Sequence, residues 1–245
     1  MTVDQRLWNN DRRGTLILAD HRFGSHFLQA VIVDRMAGAC QSLGLGLCEN
    51  WTVSTPSWLV DRREIETRLE LFTNGPGYSC LIVNDALEKI AIAARPDLLS
   101  RWHVIRLVRE DKIKWFISYW FYLHHKESDR YRQRHRAEGF HHHNTPRDNY
   151  EVWIRNNGRM RLDGRDILDL QTSLACHLIN LDIAADHEIE YEQLADLATA
   201  KVAWQANQYP SDRLEDMFEN ADLLEGLLKL WNRTQVKGRL RGHAT

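Results

Sequence analysis

Arg22, Gly24 and Ser25 stand close together in the run Ala19-Asp20-His21-Arg22-Phe23-Gly24-Ser25-His26-Phe27, and their types suit the binding of an anion. Arginine brings a forked, permanent cation, glycine lets the main chain approach a ligand closely, and serine adds a hydroxyl donor. The run follows the apolar stretch TLILA at residues 15–19 and precedes a helical pattern. Unpaired N–H groups and roughly half a positive charge therefore converge on it at the helix start. A phosphate or sulfate group is stabilised at such a point. The same spacing, taken alone, also fits an ordinary strand-to-helix turn.

A second segment, HVIRLVREDKIKWFISYW at residues 103–120, repeats the arrangement. A buried strand ends at Arg109, and a helix from Asp111 carries Ser118 on the side away from the apolar stripe of Ile113, Phe116, Ile117, Trp120 and Phe121. Arg109 and Ser118 could then reach one anion; the alternative is a surface arginine beside a helix start and a solvated serine.

Elements that place these residues can be read from the apolar pattern. Residues 15–19, 78–83 and 103–108 are short continuous apolar runs, as in strands buried on both faces of a parallel sheet. Ser25 can cap a helix whose buried side holds Phe27, Leu28, Val31, Met36 and Cys40, and residues 62–72 form a further helix. Asp85-Ala86-Leu87-Glu88 has the form of a capping box, and Pro96 interrupts the helix it opens. Residues 163–181 read as a helix through Ile167, Leu170, Leu174, Leu178 and Leu181, followed by a strand near 189–191. A last helix from near Ser211 buries Leu214, Met217, Phe218, Leu224, Leu228 and Trp231. Strands alternating with helices give an α/β fold with a mainly parallel central sheet between helical layers.

The 245 residues, 43% of them hydrophobic, suffice for one compact domain spanning 1–245. A net charge of -2 provides no overall field for a nucleic acid or an anionic membrane, so an anion site has to be local. Cys40, Cys48, Cys80 and Cys176 lie in apolar surroundings with no CxxC pair, which suits buried thiols in a reducing compartment. The polar N-terminus and the lack of about 18 consecutive apolar residues point to a cytoplasmic protein without a membrane partner. Between His124 and Arg147 the chain is almost without aliphatic residues and reads as a polar, His- and Arg-rich insertion at about 124–147.

Together, RFGSHFL and LVREDKIKWFIS resemble the P-loop sulfotransferase superfamily over roughly residues 14–200. In that family the first strand ends in a Pro-Arg/Lys-Ser-Gly-Thr/Ser loop, and a later strand ends in Leu-x-Arg followed by a helical Ser. Residues 188–194, EIEYEQL, stand where relatives carry a YEDL-like strand end. The loop departs from the family in carrying His21 for Pro and Phe23 for a small residue, and the nine-residue spacing from Arg109 to Ser118 looks more like bacterial carbohydrate-type members than the cytosolic branch.

The resemblance implies a P-loop NTPase-like three-layer sandwich and a donor, 3'-phosphoadenylyl sulfate, leaving as 3'-phosphoadenosine 5'-phosphate. It assigns the 5'-phosphosulfate to the loop of Arg22, Phe23, Gly24, Ser25, His26 and Phe27, and the 3'-phosphate to Arg109 and Ser118. Arg22 then stabilises the departing bridging oxygen without a metal, and His26 is a candidate general base, with Glu49 a second. The acceptor is a hydroxyl compound, a carbohydrate or small metabolite, and the insertion is a natural lid over it.

Other readings are a noncatalytic nucleotide- or RNA-binding protein of the same fold and a nonstandard P-loop kinase. No Gly-x4-Gly-Lys-Ser/Thr occurs, and GLGLCE at 44–49 follows a helix instead of a strand, against a dinucleotide fingerprint. His141, His142 and His143 are adjacent and cannot easily converge on one ion, which argues against a zinc site.

Overall fold

The computed structural model describes residues 7–36, 62–84, 86–126, 158–202, 204 and 214–229, apart from the side chains of Arg62, Glu64, Arg68, Leu214 and residues 120–126. The chain divides into two compact units, residues 1–110 with 175–204 and residues 111–174 with 205–245.

The first unit holds a four-stranded sheet of β1 (Gly14–Leu18), β2 (Ser79–Val83), β3 (His103–Val108) and β4 (His187–Glu190). Its order is β2-β1-β3-β4, and all pairs are parallel. Around it run α1 (Ser25–Arg35), α2 (Arg62–Asn74), α3 (Ala86–Ala93), the short α4 (Pro96–Leu99) and the end of a long helix described below. Every residue of β1 and β2 is buried, which explains why both strands read as continuous apolar runs and not as alternating ones. Side chains nevertheless alternate between faces. Leu16, Leu18, Leu81, Val83 and Val104 join Ile65, Leu69, Ala91, Ile92 and Trp102 in one core beneath α2 and α3. Helix α1 packs against β1 and β2, and its Gln29 Nε2 donates to the Cys80 carbonyl at 2.8 Å.

Close packing at the amino end of β1 requires a glycine. A Cβ on Gly14 would lie 2.2 Å from the Ser79 carbonyl oxygen and 2.6 Å from the Trp102 ring. Pro96 starts α4 at its first turn and so divides the helical stretch into α3 and α4, as expected from the missing N–H. Glu88 Oε2 accepts the N–H of Asn84 at 3.1 Å, one residue before the N–H a capping box would use, and Asp85 lies outside the described residues.

Helix α5 (Lys112–Lys126) begins the second unit. Trp115, Phe116, Ile117, Ser118 and Tyr119 are all buried, so Ser118, though away from the apolar stripe, is not on a solvated face. A helix apolar over most of its circumference buries that whole circumference, the serine included. The long helix α6 (Gly164–Asp182) starts in this unit, and its residues from Ala175 belong to the first. Its buried row is Asp166, Leu170, Ser173, His177 and Asn180, whereas Leu178, expected in the core, is exposed. The helix is turned by about one position from the orientation hydrophobicity favours, because His177 on this row is drawn to the buried Asp20 carboxylate.

The last helical segment is not continuous. Helix α7 (Leu214–Met217) stops at Phe218, which forms a parallel bridge with Met160, and helix resumes at 221–229. Asn220 holds the break by pairing its side chain with both the N–H and the carbonyl of Leu162, each at 3.0 Å. Cys40, Cys48, Glu49, Trp231 and the insertion from residue 127 to 147 lie outside the described residues.

The end of α6 is tied to the sheet by one side chain. Arg106, on β3, donates Nε to the Asn180 carbonyl at 3.1 Å and Nη2 to the carbonyls of Leu181, at 3.3 Å, and Ile183, while Nη1 pairs with Glu188 at 3.3 Å. These are the carbonyls that a helix C-terminus leaves without an intrahelical donor. Arg106→Met, which keeps the apolar stem, should lower unfolding stability by about 2–3 kcal/mol in urea titrations, the range for charged hydrogen bonds.

Candidate functional site

Strand order locates the site before any side chain is considered. From β1 the chain crosses to β2 on one side, then returns past β1 to place β3 on the other. The order therefore reverses between β1 and β3, and ligands of open parallel sheets bind beyond the carboxyl ends of the strands at such a reversal. The two segments leaving those ends are the loop from Ala19 to Gly24 and Arg109.

The loop is tightly turned. Phe23 N–H donates to the Asp20 carbonyl at 3.2 Å, Arg22 has φ of 69°, and Gly24 has φ of 81°. Left-handed backbone is natural for Gly24 but costs a non-glycine residue about 1–2 kcal/mol, so Arg22 is held there by its surroundings. Gly24, not Ser25, occupies the N-cap of α1, and no side chain caps the helix. Its first bond runs from Leu28 N–H to the Gly24 carbonyl at 3.0 Å, leaving the first-turn N–H groups without an intrahelical acceptor. No acidic residue occurs in that turn to offset its positive end. Arg22 and His26 are exposed, Phe27 is half-buried and Ser25 is buried.

Three buried side chains fix the loop from beneath. Asp20, two residues beyond β1, shares its carboxylate between Lys89 Nζ at 2.6 Å and His177 Nδ1 at 2.5 Å, all three groups being almost wholly removed from solvent. Burial alone would raise the Asp20 pKa, but the Lys89 charge and the His177 hydrogen bond outweigh it and hold the carboxyl far below the usual carboxylate range. The Phe23 ring, fully buried, packs on His177 with centroids 6.2 Å apart, so Phe23 offers a ligand only its main chain.

Arg109 is the third support. It is 1% exposed; Nη1 donates to the Arg22 carbonyl at 3.0 Å, and Cζ lies 4.0 Å from the centroid of the Tyr191 ring. Tyr191 opens the 3-10 segment Tyr191–Leu197 that follows β4. This segment lies against Gly24, where a Cβ would come within 2.6 Å of Leu194 Cδ1 and 3.3 Å of the Tyr191 ring. Thus the glycine serves packing at its own Cβ position. Arg35 and Asp34, at the end of α1, hold the same stretch through the Leu197 carbonyl at 3.1 Å and the Thr199 hydroxyl at 2.7 Å. Tyr191 and Phe27 each meet the half-buried Trp204 edge to face, at 5.1 and 4.6 Å, forming an aromatic group beside the first turn of α1.

Of the residues singled out in the sequence, Arg22 to Phe27 and Arg109 are thus brought together in the first unit, and Ser118 is buried in the second. Asp20, Lys89, His177, Tyr191 and Trp204 had not been singled out. Helical periodicity gave no signal for Lys89 or His177, having favoured Leu178 over its neighbour His177 as the buried position; what places both is the need of a buried ionisable group for a partner. Among the described residues no cluster of three or more His, Cys, Asp or Glu side chains is arranged to hold a metal, and no helix is long and apolar enough to cross a membrane.

Asp20→Asn should cost about 3–5 kcal/mol at neutral pH, because Lys89 stays buried without its counter-charge. The pH dependence follows from the lowered pKa. The unfolded chain takes up a proton near the ordinary value of 3.8 while the folded chain resists it, so the stabilisation is complete above that value and is lost as pH falls below it. Urea midpoints between pH 7 and pH 2 should show this component in the wild type and not in the variant.

No protein family, curated protein or solved structure matches the chain, so the site is characterised by its own geometry.

Proposed function

We propose that the loop after β1 binds the phosphosulfate end of 3'-phosphoadenylyl sulfate, and that the protein is a sulfotransferase acting on a hydroxyl acceptor, a carbohydrate or small metabolite. The observation that carries this is the course of residues 20–25. They turn through two left-handed residues directly into the uncapped start of α1, at the sheet's reversal point, with the exposed Arg22 alongside. The RFGSHFL and LVRE motifs on these two strand ends select a sulfuryl donor from among phosphorylated nucleotides by their resemblance to P-loop sulfotransferases, and the parallel α/β sheet is compatible with the P-loop type of fold.

When bound, the donor supplies an electrophilic sulfur whose bond to the nucleotide oxygen breaks as the acceptor oxygen bonds to it. Negative charge then gathers on the departing oxygen. Arg22 and the first-turn N–H groups of α1 stabilise that charge, and no metal is needed for this step. Arg109 acts from beneath. Its permanent charge raises the local potential while its contact with the Arg22 carbonyl keeps the loop in shape. Phe27 and Trp204, half-buried and set edge to face, offer aromatic contact for the nucleoside base. His26, exposed on the first turn, is the candidate to take the acceptor's proton.

Binding of the product nucleotide tests this reading. 3'-Phosphoadenosine 5'-phosphate at a hundred times its dissociation constant should stabilise the protein by about 2.7 kcal/mol. Arg22→Ala should weaken that binding by about 10- to 100-fold, as for loss of a charged hydrogen bond. Equal stabilisation by ATP would favour a kinase, and stabilisation by short RNA alone would favour an RNA binder; either overturns the assignment.

A further inference from the structure

The turn at residues 20–23 has two ends, and one buried side chain touches both. His177 Nδ1 donates to Asp20 Oδ2 at 2.5 Å, and its ring packs on the Phe23 ring with centroids 6.2 Å apart. Lys89 meets only the Asp20 end, through Oδ1 at 2.6 Å, and Arg109 meets the middle, through the Arg22 carbonyl at 3.0 Å. Between the ends, Arg22 sits at φ of 69° with its side chain exposed. A strained residue on a short turn persists when both flanks are fixed, and it relaxes toward ordinary backbone when either is released.

We propose that His177 is the positioning residue of the anion loop. By clamping Asp20 and Phe23 at once, it holds Arg22 in left-handed backbone and so sets where the guanidinium leaves the loop. His177 is fully buried, so it acts through these two neighbours and not by touching a ligand. It also accounts for a phenylalanine in a loop where a small residue would serve a phosphate equally well: the Phe23 ring is the second grip of the clamp. The effect on nucleotide affinity rests on the proposed donor site, whereas the effect on the loop does not.

Two substitutions at 177 separate the grips. His177→Phe keeps a ring against Phe23 and removes the donor to Asp20, and His177→Asn places an amide donor near the position of Nδ1. Amide exchange of the ligand-free protein should rise at least about tenfold in the peptide covering residues 19–27 both in His177→Phe, which loses the Asp20 grip, and in His177→Asn, which loses the Phe23 grip, with the strand peptide 103–108 unchanged in each. The dissociation constant of 3'-phosphoadenosine 5'-phosphate should rise about tenfold or more in both variants. If His177→Phe fails to fold, Phe23→Leu, which fills the core without the ring contact, should loosen peptide 19–27 in the same selective way.

Exchange that rises equally in both peptides, or that is unchanged in 19–27, overturns the clamp and leaves His177 an ordinary core residue. Selective loosening of peptide 19–27 in both variants, in a protein whose wild type binds no such nucleotide, upholds the clamp and removes the proposed function instead.

Discussion

A carboxylate with almost no access to water follows the end of β1, and two helices are fixed by what it needs. Isolating Asp20 from solvent costs several kcal/mol unless its charge is met, and it is met by Lys89 from α3 and His177 from α6. Lys89 is itself fully buried and as costly to leave alone, so each ion makes the other's position tolerable. The arrangement accepts no slippage: moving α3 or α6 along the sheet would strand a charge in the core. This explains the orientation of α6, whose buried row carries Ser173, His177 and Asn180 while Leu178 is left exposed.

From that anchor the rest of the site follows in sequence. Asp20 is the first residue of the turn, so fixing its side chain fixes where the turn starts. The turn then enters α1 with no side-chain cap, and its positive end is directed at the reversal point between β1 and β3. Arg109, leaving β3, closes the opposite side by holding the Arg22 carbonyl and stacking on Tyr191. A loop held in this way is preorganised: its N–H donors are oriented by buried groups before any ligand arrives, which is what the proposed anion site requires.

Much of this was legible in the sequence where one kind of signal was enough. Continuous apolar runs marked β1, β2 and β3 to within a residue, Pro96 marked the break between α3 and α4, and Arg22, Gly24 and Arg109 lie just beyond the strand ends, where the sequence placed them. What escaped were features decided by partners distant along the chain. Ser118 was placed away from the apolar stripe because periodicity weighs only its own helix, and it lies among Trp115, Phe116, Ile117 and Tyr119 in a segment buried all round. Ser25 has a good capping residue's chemistry, yet the left-handed Gly24 takes the N-cap position. His177 and Asp20 are 157 residues apart, and no local pattern links a histidine on one helix to an aspartate after a strand.

The most direct measurement of the central claim is a residue-resolved titration with 3'-phosphoadenosine 5'-phosphate, following backbone amide shifts by NMR. The account expects saturable changes concentrated at Gly24, Ser25, His26 and Phe27, because their N–H groups face the anion at the start of α1. Saturable changes centred elsewhere, with those four amides unmoved, would contradict it.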